Sequence, residues 1–254
     1  FSNGNYILAT INNVSERKRI EAQRIEHTAE LERINQELDR FAYIASHDLK
    51  SPLRGIEQLT NWLNEDLADN TNENVQKYLG LIQSRIQRMV LLLDGLLMFS
   101  RIGRVDTEIV QVDSRQLIED MFALVAPPQG FELVLEGDFP QFATVKTLLE
   151  LVVRNLMSNA IKHHDRGCGV LKIVCEAQKS SYLFSVIDDG PGISSNFHGK
   201  VFEMFQTLRP RDEVEGSGLG LSLVKKTVES LGGKIRLESE GRGCCFRFSW
   251  PMRI

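Results

Sequence analysis

The chain has 254 residues, of which 42% are hydrophobic, 25% charged and 7% aromatic, and 30 basic against 34 acidic residues leave a formal net charge of −4. These values are typical of a globular protein and exclude disordered and fibrous classes. They indicate neither a nucleic-acid partner nor an anionic membrane surface. The four cysteines include no C-x-x-C pair, so we interpret them as reduced core thiols of a cytoplasmic protein.

A short strand and a long helix are predicted at the start of the chain. Residues Tyr6 to Ile11 form an apolar run typical of a strand, and the stretch from Ser15 to Arg104 contains one proline, Pro52. In the first half of this stretch apolar residues recur at alternating steps of 3 and 4, which is the pattern of a coiled-coil seam. The seam residues are Leu31, Ile34, Leu38, Phe41 and Ala45.

A second helix with the same periodicity is predicted after the polar turn Asn70–Asn74. Its seam residues are Val75, Leu79, Ile82, Ile86, Met89, Leu93 and Leu96. The two helices are expected to fold back as a hairpin. Because a lone two-helix hairpin leaves much of its apolar stripe in water, we expect two copies to pair as a four-helix bundle in a homodimer. The most apolar stretch, Met89 to Phe99, is interrupted by Asp94 and is far shorter than the roughly 20 residues of a membrane span, so no membrane segment is expected.

Beyond a boundary at Gly103–Thr107 the sequence alternates short strands with helices, which predicts an α/β or α+β domain. Asp113–Gln116 resembles a capping box at the start of a helix that runs to Val125, and two further helices are predicted at Lys146–His163 and Leu219–Leu231. The predicted strands include Ile109–Val112, Leu133–Leu135, Leu171–Cys175, Tyr182–Ile187 and Lys234–Leu237.

Three segments of this second part carry residues suited to a nucleotide and a metal ion. Asp188–Gly192 places a carboxylate and two glycines at the end of a predicted strand. Glu215–Ser222 is a glycine-rich loop that runs into a helix, whose free N–H groups suit phosphate. Asn155 and Asn159 share one helix face and are followed by Lys162–His163. Each segment alone has a simpler interpretation as a surface turn or a solvated face, but together they favour a nucleotide site.

Other readings of these residues are less favoured. A Rossmann motif needs a buried strand directly before its glycines, whereas Arg209–Glu215 is polar, and no G-x-x-x-x-G-K-[ST] motif of a P-loop occurs. A metal cluster at His163–Asp165 has little support, because adjacent residues at a helix end do not converge on one ion.

The same segments resemble the motifs of the histidine kinases of two-component systems, and they follow the order of that family. The matching segments are Phe41–Arg54 (H box), Asn155–His163 (N box), Asp188–Gly192 (G1 box), Val201–Phe205 (F box) and Gly216–Gly220 (G2 box). The chain therefore resembles a sensor histidine kinase with a HisKA-type hairpin and a HATPase_c (GHKL) ATP-binding domain. Tyr6–Arg19 additionally resembles the last strand and exit linker of a PAS sensor.

The resemblance implies a multidomain fold, in which an all-α two-helix hairpin forms a dimeric four-helix bundle and is followed by an α/β two-layer sandwich of the Bergerat type. The implied domains are the terminal strand of a truncated PAS-like sensor (1–14), a coiled-coil linker helix (15–40), the dimerisation and phosphotransfer hairpin (41–104) and the catalytic ATP-binding domain (107–254).

The resemblance further implies an ATP-dependent protein-histidine autokinase with ATP and Mg²⁺ as cofactors. Asp188 would accept a hydrogen bond from the adenine amino group, and Asn159 would offer an amide oxygen to Mg²⁺. Residues 194–215 would form an ATP lid pinned by Phe202 and Phe205. The other implied ATP-site residues are Asn155, Lys162, His163, Gly190, Gly192, Gly216, Gly218, Leu219 and Gly220, with Gly190 and Gly192 leaving room for the base.

The implied phosphoacceptor is His47, which would pass the phosphoryl group to an aspartate of a separate response-regulator receiver. Asp48 would orient the imidazole or take up its proton. Ser51 stands where kinases that also dephosphorylate their partner commonly have Thr or Asn, so phosphatase activity stays open.

Two alternative functions predict different residues. An ATP hydrolase of the wider superfamily places a glutamate four residues before the metal-binding Asn to activate water, but that position is Asn155, whose amide cannot act as a base. A helical adaptor with an inactive nucleotide domain predicts loss of His47, Asn159, Asp188 or the G2 glycines, and all are present.

Overall fold

The computed structural model describes residues 21, 24, 49–50, 53–65, 67, 73–102, 108–207 and 218–253. The chain forms two compact units, Phe1–Ala45 and Ser46–Ile254, and nearly all described residues belong to the second. Several sequence predictions lie outside the described residues. They are the strand Tyr6–Ile11, the seam Leu31–Ala45, and the site residues His47, Asp48, Ser51 and Gly216.

Two antiparallel helices form the first part of this unit. Helix α1 covers residues 53–65 and helix α2 is Glu73–Arg101. Three side-chain contacts connect the two helices and the residues next to α1. As the residue number on the α1 side increases, that of its partner in α2 decreases, as in a hairpin. The pairs are Lys50 Nζ with Asp94 Oδ1, Gln83 Nε2 donating to Asn61 Oδ1 (3.0 Å), and Gln76 Nε2 donating to Leu67 O (2.8 Å).

The predicted seam of α2 is only partly covered within one chain. Leu79 and Ile86 are 6% and 4% exposed. Ile82 and Met89, which follow the same periodicity, are 45% and 48% exposed. Part of the apolar stripe of the hairpin is therefore open in the single chain.

The second part of the unit is a two-layer α/β sandwich, so the predicted fold class is confirmed. Its strands are β1 (Ile109–Asp113), β2 (Phe131–Gly137), β3 (Gln141–Val145), β4 (Gly169–Ala177), β5 (Ser181–Asp188), β6 (Ile235–Glu238) and β7 (Cys244–Pro251). Its helices are α3 (Ser114–Val125), α4 (Lys146–Lys162) and α5 (Gly220–Ser230), with short 3₁₀ turns at Ser195–Phe197 and Lys200–Phe202.

The main sheet has five strands in the order β2-β4-β5-β7-β6, in which only β2 and β4 pair in parallel. Alternate residues of β4 and β7 are buried against the helices, as expected for a sheet with one covered face. The opposite face carries ion pairs between neighbouring strands, Lys172 with Glu136 and Arg247 with Glu238. A separate two-stranded sheet pairs β1 with β3.

Local sequence signals account for most of these elements. Asp113 caps α3 as predicted, since its Oδ1 accepts a hydrogen bond from Gln116 N at 3.0 Å. Helices α4 and α5 agree with their predicted ranges to within one residue at each end. Strands β3 and β7 are not among the strands named from the sequence. Within the described part of the chain, none of the helices combines the length and apolarity that a bilayer span requires.

The C-terminal end of α2 packs against α5. Lys226 Nζ donates to Phe99 O at 2.6 Å and lies 3.9 Å from the centre of the Phe99 ring. A Cβ atom at Gly95 would lie 2.6 Å from Leu219 Cδ1, so this contact depends on glycine in α2. Ile102 belongs to the core of the sandwich. The hairpin is therefore joined to the sandwich next to the start of α5.

Candidate nucleotide site

Asp188 ends strand β5 with its carboxylate held in one orientation. Gly190 N and Cys244 N both donate to Asp188 Oδ1, at 3.0 and 3.3 Å. Burial raises the pKa of this carboxyl group, while the two N–H bonds and His164 act in the opposite direction. Because both bonds end on Oδ1, the second oxygen of an ionised Asp188 remains available as an acceptor for a ligand.

The glycines of the Asp188–Gly192 turn allow close approach within the protein itself. A Cβ atom at Gly190 would lie 2.9 Å from Asp188 Oδ1. Gly192 has a φ of +79°, and a Cβ atom there would lie 2.2 Å from the backbone oxygen of Gly241 in the β6–β7 turn. The family resemblance implies only that both glycines leave room for a base, and no sequence pattern indicates this packing within the protein.

A set of hydrogen-bonded polar side chains that the sequence did not reveal lies beside this turn. We call it the polar layer, and its members are His164, Asp165, Asp189 and Arg242. The side chain of His164 is 1% exposed, and its Nε2 lies 3.1 Å from Asp189 Oδ1. The same oxygen accepts a hydrogen bond from Val170 N at 2.8 Å. This bond is the largest cause of the lowered pKa of Asp189; burial opposes it, and the hydrogen bond with His164 lowers the pKa further. Among the described residues, no group of three His, Cys, Asp or Glu side chains is arranged to hold a metal ion.

A bidentate ion pair closes this layer. Arg242 donates from Nη1 and Nη2 to the two oxygens of Asp165, at 3.0 and 2.9 Å, and lowers the pKa of Asp165 to about 2. This pair ties the loop after α4 to the β6–β7 turn. The only sequence signal for the layer was the adjacency of His164 and Asp165, because their partners are distant in the chain.

The asparagine-bearing face of α4 meets the start of α5. Asn155 Nδ2 donates to Leu151 O at 2.7 Å, which turns its amide oxygen outward. A Cβ atom at Gly220 would lie 2.9 Å from Asn155 Oδ1, so the first residue of α5 rests against this amide. Asn159 lies one turn further along α4 and is half-buried. Leu219, just before α5, is fully buried.

A residue inside the predicted lid is hydrogen-bonded to the glycine-rich segment that follows it. Phe205 N donates to Gly218 O at 2.9 Å, and Phe205 has a φ of +64°. The ring of Phe202 packs edge-on against Phe246 in the core, with centroids 6.3 Å apart, whereas Phe205 is 45% exposed. The core therefore anchors the predicted lid through Phe202, and a backbone hydrogen bond joins Phe205 to Gly218.

The family of the chain follows from two matches. The model of the His Kinase A (phospho-acceptor) domain matches residues 37–104, and the model of the histidine kinase-, DNA gyrase B-, and HSP90-like ATPases matches residues 144–254. The chain belongs to the histidine kinases. The predicted family is thus confirmed, although the domain boundaries and the roles of the individual site residues stay predictions.

Individual relatives agree with this assignment. The chain is 38% identical to Cyanobacterial phytochrome B of Nostoc sp. strain PCC 7120 over 226 residues, which are 87% of this chain and 30% of that protein. Full-length ShkA in complex with AMPPNP shares the fold, with a TM-score of 0.67 at 22% identity over 84% of this chain and 46% of ShkA. ThkA in complex with response regulator protein TrrA has a TM-score of 0.60 at 21% identity over 89% of this chain and 66% of that one.

The remaining predicted residues of this kinase lie around the exposed end of α4. An open cleft of about 340 Å³ is lined by Val125, Arg154, Asn155, Ser158, Ile161 and Lys162. Lys162 and His163 are both exposed where the helix ends. The cleft thus contains Asn155 and Lys162 but is not lined by Asp188.

Proposed function

We propose that this chain is an ATP-dependent protein-histidine autokinase that takes the γ-phosphoryl group on His47 and passes it to an aspartate of a separate response regulator. The observation that carries the proposal is the contact between Asn155 and Gly220. It brings the amide-bearing face of α4 beside the N–H groups at the start of α5, which have no intrahelical acceptor.

Asp188 is the group that selects adenine in this proposal. An ionised carboxylate accepts a strong hydrogen bond from an amino group when water is kept away. The bonds from Gly190 N and Cys244 N fix its direction before the ligand binds, which lowers the ordering cost of binding.

The residues of α4 fit a magnesium–phosphate group. Mg²⁺ prefers oxygen ligands and binds together with phosphate oxygens, so the neutral amide of Asn159 suits it as a protein ligand. The exposed Lys162 and His163 would contact phosphate oxygens from the end of the same helix. Bound Mg²⁺ would neutralise charge on the β- and γ-phosphates during transfer.

The transfer step needs a nucleophile and a base. A ring nitrogen of His47 forms a bond to the γ-phosphorus while the bond to the β,γ-bridging oxygen breaks, and ADP leaves. Asp48 orients the ring and takes up its proton. Ser51 is proposed to position the water molecule that hydrolyses the phosphorylated receiver. If Ser51→Ala leaves the decay of a phosphorylated receiver unchanged, that role is excluded.

The proposed partners follow from the hairpin. The open stripe that includes Ile82 and Met89 would be covered by a second copy of the chain in a four-helix bundle. The receiver partner is supported by the fold shared with ThkA, which was solved in complex with a response regulator. We further propose a cytoplasmic location, where both ATP and the receiver are present.

The test is incubation of the full chain with Mg²⁺ and γ-labelled ATP, followed by measurement of acid-labile, alkali-stable phosphate on the protein. Wild type should be labelled and His47→Ala should not. The matched control is His27→Ala, which removes another histidine upstream of His47 and should keep the label. Equal labelling of wild type and His47→Ala would contradict the proposal.

A further inference from the structure

His164 occupies an unusual place for a histidine at the end of a surface helix. Its side chain is 1% exposed, and the ring packs edge-on against Phe131 with centroids 5.3 Å apart. Its two nitrogens face different segments of the chain. Nε2 faces Asp189 in the Asp188–Gly192 turn, called the G1 turn below, and Nδ1 faces the backbone of Arg166 in the loop after α4.

The partners of the ring define its hydrogen bonds. Because Asp189 offers a carboxylate oxygen at 3.1 Å, Nε2 carries a proton and donates. Nδ1 lies 3.0 Å from both the backbone nitrogen and the backbone oxygen of Arg166. Asp189 Oδ1 also accepts from Val170 N at the start of β4. One imidazole thus joins the loop after α4, strand β4 and the G1 turn.

The surrounding backbone leaves space for this ring and for little else. A Cβ atom at Gly169 would lie 2.7 Å from His164 Nε2 and 2.9 Å from Asp189 Oδ1. A Cβ atom at Gly190 would lie 3.4 Å from His164 Cδ2 and 2.9 Å from Asp188 Oδ1. The ring therefore lies directly behind the backbone that carries Asp188, with a glycine on each side.

From this arrangement we infer that His164 is a positioning residue for base recognition: by holding Asp189 against β4, it fixes the turn that presents the Asp188 carboxylate to the amino group of a purine. The inference rests on the proposed function, since it assigns Asp188 to the base. His164 itself does not touch the nucleotide. Replacing His164 should affect recognition of the base and leave the phosphate end of the site unchanged, because neither Asn159 nor the start of α5 is hydrogen-bonded to the His164 side chain.

Two substitutions of similar polarity separate the two bonds of the ring. His164→Asn keeps an oxygen near the position of Nδ1 for Arg166 N but has no donor that reaches Asp189. His164→Gln is longer and places an amide N–H near the position of Nε2. Thr144→Val is the stability control, because it removes another buried side-chain bond, the 2.8 Å bond from Trp250 Nε1, away from the turn.

The experiment measures the affinity of the full chain for ATP and for inosine triphosphate, which has an oxo group in place of the 6-amino group. Wild type should prefer ATP. His164→Asn should bind ATP about tenfold more weakly than wild type and bind inosine triphosphate within about twofold of wild type. The ratio of the two affinities should therefore be smaller than in wild type. His164→Gln should recover most of the preference, and Thr144→Val should retain it in full.

The outcomes are distinguishable. If wild type binds neither nucleotide, the proposed function fails and this inference falls with it. If wild type binds ATP but His164→Asn retains the same preference, or loses affinity for both nucleotides equally, the inference alone is wrong. A Thr144→Val protein that loses the preference as His164→Asn does would also overturn it, because the effect would then follow from stability.

Discussion

Asp188 illustrates how a binding residue can act against the stability of the fold that carries it. Burial raises the pKa of its carboxyl group, so the folded protein disfavours the ionised form that a ligand amino group needs. A folded-state pKa above the unfolded value stabilises the fold at low pH, and this stabilisation is lost as the pH rises through the folded value. At neutral pH the ionised carboxylate therefore lowers the free energy of unfolding.

Replacing Asp188→Asn should raise the melting temperature of the nucleotide-free protein at neutral pH, because the amide oxygen still accepts from Gly190 N and Cys244 N without a buried charge. The gain should shrink as the pH falls toward 3.8, the ordinary value for aspartate, where the wild-type group is protonated. ATP affinity should fall about tenfold or more. Thermal unfolding over a pH series, with and without ATP, measures both effects. A melting temperature that falls at neutral pH would contradict this account of Asp188.

The cysteines give a second prediction for single residues. Burial raises the pKa of Cys175 to about 12 and that of Cys244 to about 11, so both remain neutral thiols at physiological pH, whereas Cys168 is exposed. In the native protein a thiol reagent should modify Cys168 quickly and reach Cys175 and Cys244 only after unfolding. Cys168→Ser should remove the fast reaction. Rapid modification of Cys175 in the native protein would show that this part of the core opens.

At the scale of the elements, periodicity and capping predicted the helices, whereas contacts between distant segments stayed hidden. The capping residue Asp113 marked the start of α3 because its bond is local. Strand β3 was missed because Gln141–Val145 follows Pro140 and runs directly into α4, so no turn separates the two elements. His164 and Asp189 are 25 residues apart, and no local pattern indicates that β4 brings them together.

The G1 turn offers a direct test of how closely these elements approach. Gly192→Ala should lower the free energy of unfolding by about 2 kcal/mol or more, because φ is +79° and the added Cβ meets the Gly241 oxygen at 2.2 Å. Gly167→Ala is the matched control, since nothing lies within 4 Å of its added Cβ, and it should change stability little. Chemical denaturation measures both values. Equal stability of the two variants would mean that the turn accommodates a side chain at Gly192.

At the scale of the whole molecule, the half-covered stripe of α2 is an apolar surface that the described part of one chain leaves exposed. Periodicity predicted the stripe, and the structure divides it into Leu79 and Ile86, which are covered within the chain, and Ile82 and Met89, which are not. This division could not come from the sequence alone, because all four residues follow one period.

Ile82→Glu should weaken dimerisation about hundredfold or more, because a two-fold interface would bury the new charge twice. Gln87→Glu adds the same charge to an exposed position of α2 and should leave the dimer intact. Light scattering across a range of protein concentrations measures the effect. A monomeric wild-type protein at high concentration would contradict the four-helix bundle.

The open stripe also has a genetic consequence. In a cell that makes two versions of this chain, subunits with an intact stripe would pair in the proposed dimer whether or not their nucleotide sites bind ATP. A substitution at Asp188 would therefore yield mixed dimers with normal subunits, and we expect it to be dominant if those mixed dimers are inactive. A substitution at Ile82 removes its own product from pairing, so it should be recessive.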